Sequence, residues 1–275
     1  MNECKKEELR VTAQKIRLGA LECVYSANSG HPGGSLSIAD LLAYLYFGKM
    51  NVFSDDPKNE NRDRFVLSKG HTAPALYTTL ALKGFFSTDL LKTFRKEGSI
   101  LQGHPDMKNV PGVDMSTGSL GQGISAACGM ALSGKVSNKS YRVYSIMGDG
   151  ELEEGQVWEA AMFAAHYKLD NLTAFVDFNG LQIDGKVVEV MNPTPIDEKF
   201  KAFGWNVIVI DGHNFDEIEN AVSSAEATKG KPTVIICNTV KGKGVSFMEN
   251  KAEWHGSAPN KEQYETAVAE ISATI

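Results

Sequence analysis

The sequence lacks any uninterrupted apolar run of about 18 residues, so no stretch of it reads as a membrane-spanning helix. Its opening, MNECKKEELR, is charged and then amphipathic, without the apolar centre of a secretory leader, and the expected location is the cytoplasm. Cysteine is scarce. Cys4, Cys23, Cys128 and Cys237 stand far apart with no C-x-x-C pair, which argues against both a disulfide framework and a zinc site and fits a reducing compartment. Positive charge is also short: 28 Lys and Arg against 34 Asp and Glu leave a net charge of -6, so neither nucleic acid nor an anionic membrane gains by meeting the surface as a whole. Any phosphate must therefore be held locally. There is no internal repeat, low-complexity tract or long polar linker, and residues 1–275 are expected to form a single domain.

What is present is a 42% hydrophobic content, enough for a substantial core, arranged in two successive patterns. From Glu7 to Ala27 apolar residues recur at helical spacing and stop at the turn-forming Asn28-Ser29-Gly30. Ser37 reads as the N-cap of a helix over Ile38–Lys49, with Asp40 complementing the helix dipole, and further helices are expected over 72–83, 88–96, Gly118–Ser133 and 261–275. Tyr141–Met147, Leu172–Phe178, Trp205–Ile210 and Thr233–Cys237 are short, β-branched or aromatic runs separated by helix-length stretches. They predict an α/β fold, a doubly wound and mostly parallel sheet flanked by helices.

The chemistry concentrates where the predicted strands end. Met147-Gly148-Asp149-Gly150 leaves an apolar strand at a carboxylate flanked by glycines, a position that faces the ligand crevice of such sheets. Asp149 offers a hard oxygen, and Gly148 and Gly150 let backbone approach an anion without a Cβ in the way. A G-D-G turn alone is more often a plain strand-to-helix connection. Here, however, 28 residues separate Gly150 from Asn179, the length of one βαβ unit, so two neighbouring strands present oxygen donors at one point. That arrangement suits Mg2+ sharing its shell with a diphosphate.

Histidines form the second constellation. His31, His71, His104 and His255 all sit in glycine-bearing turns, where fixed backbone can aim a ring nitrogen at a substrate oxygen, although any one of them could serve as a loop histidine bonded to backbone. His166, in a predicted helix, and His213, in Asp211-Gly212-His213-Asn214, read as structural. None of the histidines shows the short pairing usual in zinc sites.

Taken in order, SGHPGG, SKGH, GHPD, STGSLGQG, MGDGELEEG, DFNGLQIDG and WHG resemble the amino-terminal part of transketolases over nearly the whole chain. The resemblance implies the diphosphate domain of a thiamine diphosphate-binding fold. It implies Mg2+, for which Ca2+ or Mn2+ could substitute, held by the side chains of Asp149 and Asn179 and the carbonyl of Leu181. It places Gly148 and Gly150 at the diphosphate, Gly118 and Leu120 at the aminopyrimidine, and Ile183 beneath the bend of the cofactor. By the same resemblance His71 and His255 lie close to the diphosphate and reacting carbon, His31 and His104 bond sugar oxygens, and Glu154 belongs to a subunit interface. Ser119 and Ser257 depart from the pattern, standing where many members have proline and some have lysine, and the second leaves sugar preference open.

Transketolases are roughly twice this long, and the missing half supplies the glutamate that activates the cofactor. The expectation is therefore one subunit of a split transketolase, which moves a two-carbon ketol unit between sugar phosphates. Its partner is expected to be a separately encoded C-terminal chain that binds the pyrimidine, in a heterotetramer of two of each chain. The alternatives are one chain of another thiamine diphosphate enzyme, either a transketolase for an unusual sugar or a 2-oxo acid dehydrogenase α chain, a non-catalytic cofactor-binding module, and a fragment of a longer enzyme.

Overall fold

The computed structural model describes all residues 1–275. Its helices are α1 (Glu3–Ala27), α2 (Pro32–Ser37), α3 (Ala39–Tyr44), α4 (Ala73–Leu82), α5 (Gln122–Val136), α6 (Gly155–His166), α7 (Val187–Val190), α8 (Ile196–Ala202), α9 (Phe215–Ala227) and α10 (Lys261–Ser272). The strands are β1 (Arg64–Leu67), β2 (Val143–Gly148), β3 (Leu172–Phe178), β4 (Leu181–Gln182), β5 (Gly185–Lys186), β6 (Asn206–Asp211) and β7 (Thr233–Asn238). Five strands pair in parallel in the order β1-β2-β3-β7-β6, while β4 and β5 make a small antiparallel hairpin at the edge of the site.

The period-two alternation of a strand sorts its side chains between two cores. Tyr144 and Ile146 of β2, Phe175 of β3 and Ile235 of β7 face α1, α3, α4 and α9. Val143 and Met147, Ala174 and Val176, and Val234 and Ile236 face α5, α6 and α8. Both faces are covered, which is why these strands read as continuous apolar runs. Leu21, Leu36, Trp254, Ala267 and Ile271 form a third, smaller core that docks α10 and the Trp254 turn against α1 and α2. His255 is thereby held by the packing of its neighbour.

Several elements differ from the sequence expectation. The first helix begins earlier, at Glu3, because the side chain of Asn2 accepts from the Lys5 amide and caps it. Ser37 is not an N-cap: Pro32 starts a short helix that Ser37 ends, and its hydroxyl hydrogen-bonds with Gly34 O and Asp177. The segment from Ile38 to Lys49 divides into α3 and a wider turn over Leu45–Lys49. Residues 88–93 form a tight 3-10 turn instead of an α-helix, and α5 starts at Gln122, after Gly118 and Gly121, which adopt φ of 150° and 80°. Strand β1 was not expected, since its Phe65-Val66-Leu67 is too short to stand out from helix-like surroundings. Near its end α5 comes so close that a Cβ on Gly123 would lie 2.6 Å from Ser68 Cα.

Candidate active site

At the carboxyl ends of β2, β3 and β7 the loops enclose a cavity of about 260 Å3. Among its lining residues are His31, His71, Gly118, Leu120, Gly148, Asp149, Gly150, Asn179, Leu181, Ile183 and His255, all singled out from the sequence. His104 and Glu154 do not line it. The ring of His104 lies beside Gly118, a lining residue, where a Cβ would come within 2.9 Å of it, and the residue is exposed, at the rim. Glu154 is exposed beside Gly121, in the residue that caps α6, outside the cavity.

Asp149 leaves β2 with both carboxylate oxygens engaged by backbone: Gly150 N donates to Oδ1 at 2.8 Å and Gly180 N donates to Oδ2 at 2.6 Å. The second bond ties the end of β2 to the peptide that follows Asn179, so the two predicted oxygen donors share one loop junction. Asn179 gives its amide N–H to Asp177 Oδ2 at 2.9 Å, which turns its Oδ1 away from the carboxylate, toward the Leu181 amide at 3.1 Å. Leu181 O accepts from Lys241 Nζ at 2.9 Å. Burial, and then the nearby Asp177 carboxylate, raise the Asp149 pKa to about 6. Burial, and then Lys69, lower Lys241 to about 8.

The three cavity histidines pack ring against ring, with centroids 5.1 Å apart for His31–His71, 5.4 Å for His31–His255 and 5.2 Å for His71–His255. Burial is the first cause of lowered pKa values in all three, reinforced by surrounding cations: His31 falls to about 4, His255 to about 3, and His71 well below the usual range. At neutral pH they are uncharged imidazoles, each with one N–H and one lone pair. Lys241 Nζ lies 3.1 Å from His255 Nδ1. An ammonium can only donate, so Nδ1 accepts and the proton of His255 resides on Nε2.

Neutral histidines also make stability depend on pH. A histidine with a folded pKa below its unfolded one stabilises the chain above the unfolded value, near 6.5, and that contribution is lost as pH falls toward the folded one. Asp149 acts in the opposite sense between its ordinary 3.8 and about 6, as do Asp114, Glu151 and Glu153, which burial also raises. But the ordinary histidine value near 6.5 lies between pH 5 and 7, where the ordinary carboxylate values do not, and burial lowers His104 as well. The ligand-free chain should therefore have a lower urea midpoint at pH 5 than at pH 7. An equal or higher midpoint at pH 5 would contradict neutral histidines.

Several important residues do not stand out individually in the sequence. Lys69, fully buried, donates to Gly34 O and Asp177 Oδ2. Asp177 also receives Ser37, Asn179 and Thr239. Glu151, buried, accepts from Gly148 N at 3.0 Å, from Gly121 N at 2.9 Å and from Ser68, fastening the glycine turn to β1 and to the loop before α5. Lys69, Glu151, Asp177 and Gln182 lie inside the motifs that carry the resemblance. Lys241 does not, although a lysine among glycines just past a predicted strand is a usable signal.

The residues present fit a hard cation with an anionic cofactor. The donors at the loop junction are a carboxylate, a carboxamide and a carbonyl, all oxygen, and nowhere in the chain do three His, Cys, Asp or Glu side chains converge on a metal position. A Cβ at Gly150 would come within 2.8 Å of Gln182 Oε1 and fill the cradle. His31 Nδ1 and Gln182 Nε2 are buried polar atoms with no protein partner, in residues that line the cavity.

Fold and site thus define a parallel α/β protein with an oxygen-donor cradle and a histidine cluster at the strand ends. The family model for transketolase, thiamine diphosphate binding domain, matches residues 9–271, and the chain belongs to that family. It is similar end to end to chains named as subunits. It is 50% identical over 264 residues to the 6-deoxy-6-sulfo-D-fructose transketolase subunit SqwG of a Clostridium species, covering 96% of each chain. It is 46% identical over 269 residues to an apulose-4-phosphate transketolase subunit of Phocaeicola vulgatus, covering 98% of this chain and 95% of that one. Human transketolase is 44% identical over 272 residues, of which this chain spans 43% of the length. The structure of Campylobacter jejuni transketolase superposes with a TM-score of 0.92 at 34% identity, over 99% of this chain and 43% of that one. No helix is long and apolar enough to cross a membrane.

Proposed function

We propose that this chain, folded as one domain, is the diphosphate-binding subunit of a two-chain transketolase acting in the cytoplasm. It transfers a two-carbon ketol unit from a ketose phosphate to an aldose phosphate with thiamine diphosphate and Mg2+. A separate pyrimidine-binding chain completes the site, two of each chain forming a heterotetramer. The observation that carries the reading is the convergence in one cavity of the oxygen donors Asp149, Asn179 and Leu181 with the uncharged His31, His71 and His255.

When bound, thiamine diphosphate supplies an electron sink for cleaving the bond next to a carbonyl. Asp149, Asn179 and the Leu181 carbonyl would hold the cation, with Lys241 adding positive charge and Gly148 and Gly150 leaving room for the diphosphate. Gly118 and Leu120 would line the aminopyrimidine side, and Ile183, 65% exposed at the mouth, would support the cofactor from below. His255 offers an Nε2–H to an oxygen, and His71 beside it can accept or return a proton. His31 and the rim residue His104 would hold sugar oxygens. Because the cavity histidines are uncharged, they act by hydrogen bonding and proton transfer and leave the positive charge to the cation and Lys241. Glu154, exposed outside the cavity, would meet the partner chain.

The substrate has a second reading, favoured by the names of two relatives. One is named for a sulfonated fructose and one for apulose 4-phosphate, and Ser257 stands where some family members have a lysine. The chain would then serve an unusual sugar. To test both readings, purified chain is mixed with its candidate partner, Mg2+ and thiamine diphosphate, and ketol transfer is followed from fructose 6-phosphate, apulose 4-phosphate and 6-deoxy-6-sulfofructose. Transfer is expected only with both chains, and should cease on chelation of the metal. Activity of this chain alone would overturn the two-chain reading.

A further inference from the structure

His213 reads from the sequence as a structural residue of the turn between β6 and α9. Its ring, however, bridges two groups that belong to different parts of the fold. Nδ1 lies 2.6 Å from Asp40 Oδ2, and Nε2 lies 3.0 Å from the backbone nitrogen of Val240. A peptide N–H can only donate, so Nε2 must carry the lone pair and the ring proton must sit on Nδ1, directed at Asp40. Asp40 is itself fixed by Arg17 from α1, which pairs with it in a nearly dry environment, the two side chains being 8% and 3% exposed. A line of contacts therefore runs from α1 through α3 and His213 to the Thr239–Val240 peptide, one residue from Lys241.

What that peptide carries gives the line its meaning. Lys241 Nζ donates to Leu181 O and lies against His255 Nδ1, joining one of the cradle oxygens to one of the cavity histidines. The turn is also built to meet this segment closely. A Cβ on Gly212 would fall 2.6 Å from Thr239 Cγ2 and 2.9 Å from Cys237 Cβ, so no other residue lets His213 sit flush against the end of β7. Thr239 and Lys241, on either side of Val240, both reach into the site network through their side chains, to Asp177 and Leu181. Val240 has no such side-chain tie, and its amide is held by His213.

We infer that His213 is a positioning residue, whose Nε2 lone pair holds the Val240 amide and thereby sets Lys241 against Leu181 O and His255. This rests on the proposed role of Leu181 and His255 in cofactor binding. Glutamine can place its side-chain oxygen near the position of Nε2 and keep the Val240 bond, whereas asparagine can place its amide near Nδ1 and keep only the Asp40 bond.

The test compares His213→Gln and His213→Asn with the wild-type full chain. Two quantities are read: the Kd for thiamine diphosphate in saturating Mg2+, by calorimetry on the chain assembled with its candidate partner, and hydrogen–deuterium exchange over residues 239–244 in the ligand-free chain. Both variants should lose a few degrees of Tm, the glutamine variant the more, since it gives up the bond to the charged Asp40 while the asparagine variant gives up a neutral one. The asparagine variant should exchange faster over 239–244 and bind the cofactor about tenfold more weakly, while the glutamine variant stays within about threefold of wild type on both counts. Equal exchange and equal affinity in the two variants would reduce His213 to a structural residue and overturn the inference. Should the wild-type chain bind no cofactor even with its candidate partner present, the functional proposal fails, and the exchange comparison still decides whether His213 sets the Lys241 segment.

Discussion

Asp149→Asn is expected to abolish metal-dependent cofactor binding while leaving the chain folded. Both carboxylate oxygens accept from backbone amides, Gly150 N and Gly180 N. An asparagine must turn its NH2 toward one of them, donor against donor, and it removes the only charged oxygen of the cradle. Loss of residues that merely orient metal ligands costs about 10–100-fold in affinity, so loss of a direct ligand should exceed about 100-fold. Calorimetry with Mg2+ and thiamine diphosphate measures it, and wild-type affinity in the variant would contradict the assignment. The same carboxylate sets the pH dependence. Its pKa is raised to about 6, so below that pH proton and cation compete for it. Mg2+ affinity should fall from pH 7 to pH 5, with proton release on binding at the lower pH.

Asp177→Ala should be the most destabilising single change at the site. The carboxylate is fully buried and takes four donors, Lys69, Ser37, Asn179 and Thr239, of which Lys69 is a fully buried ammonium. Burial would raise its pKa, but Lys69 and the hydroxyl donors outweigh burial and hold it below the ordinary carboxylate range, so Asp177 is charged at neutral pH. Removing one partner of a buried ion pair strands the other, at a cost of about 3–5 kcal/mol. In a chain of this size that corresponds to a Tm lower by roughly 10 °C. Asn179 also loses the acceptor that fixes the orientation of its amide, so cofactor binding should fall with stability. The double variant Lys69→Met with Asp177→Leu separates the two effects. With no stranded charge it should regain part of the Tm, yet with no anchor for Asn179 it should remain defective in binding. A single variant with wild-type Tm would contradict the buried pair.

The fold was legible wherever burial dictates composition. Strands β2, β3, β6 and β7 show as apolar runs, continuous where both faces of the sheet are covered, and β3 falls on its expected residues. Strand β1 was not legible because only three of its residues are apolar and its pairing to β2 is a long-range contact. Of the site, Asp149, Asn179 and the glycine turns could be read because strand ends and glycine spacing are local features. The place of His104 at the rim could not, since it depends on how Gly103 packs against Arg95 and the His104 ring against Gly118.

By itself the sequence determined that the oxygen donors Asp149 and Asn179 lie at the ends of successive strands, because the period of a βαβ unit converts spacing along the chain into position along one edge of a sheet. Tertiary structure alone decided which residues share a cavity, how burial leaves three histidines uncharged, and that Lys69, Asp177, Glu151 and Lys241 hold the donors in place. Those outcomes depend on desolvation and on contacts between distant segments, such as Lys69 and Asp177, 108 residues apart, and neither quantity is written in any local stretch of the chain.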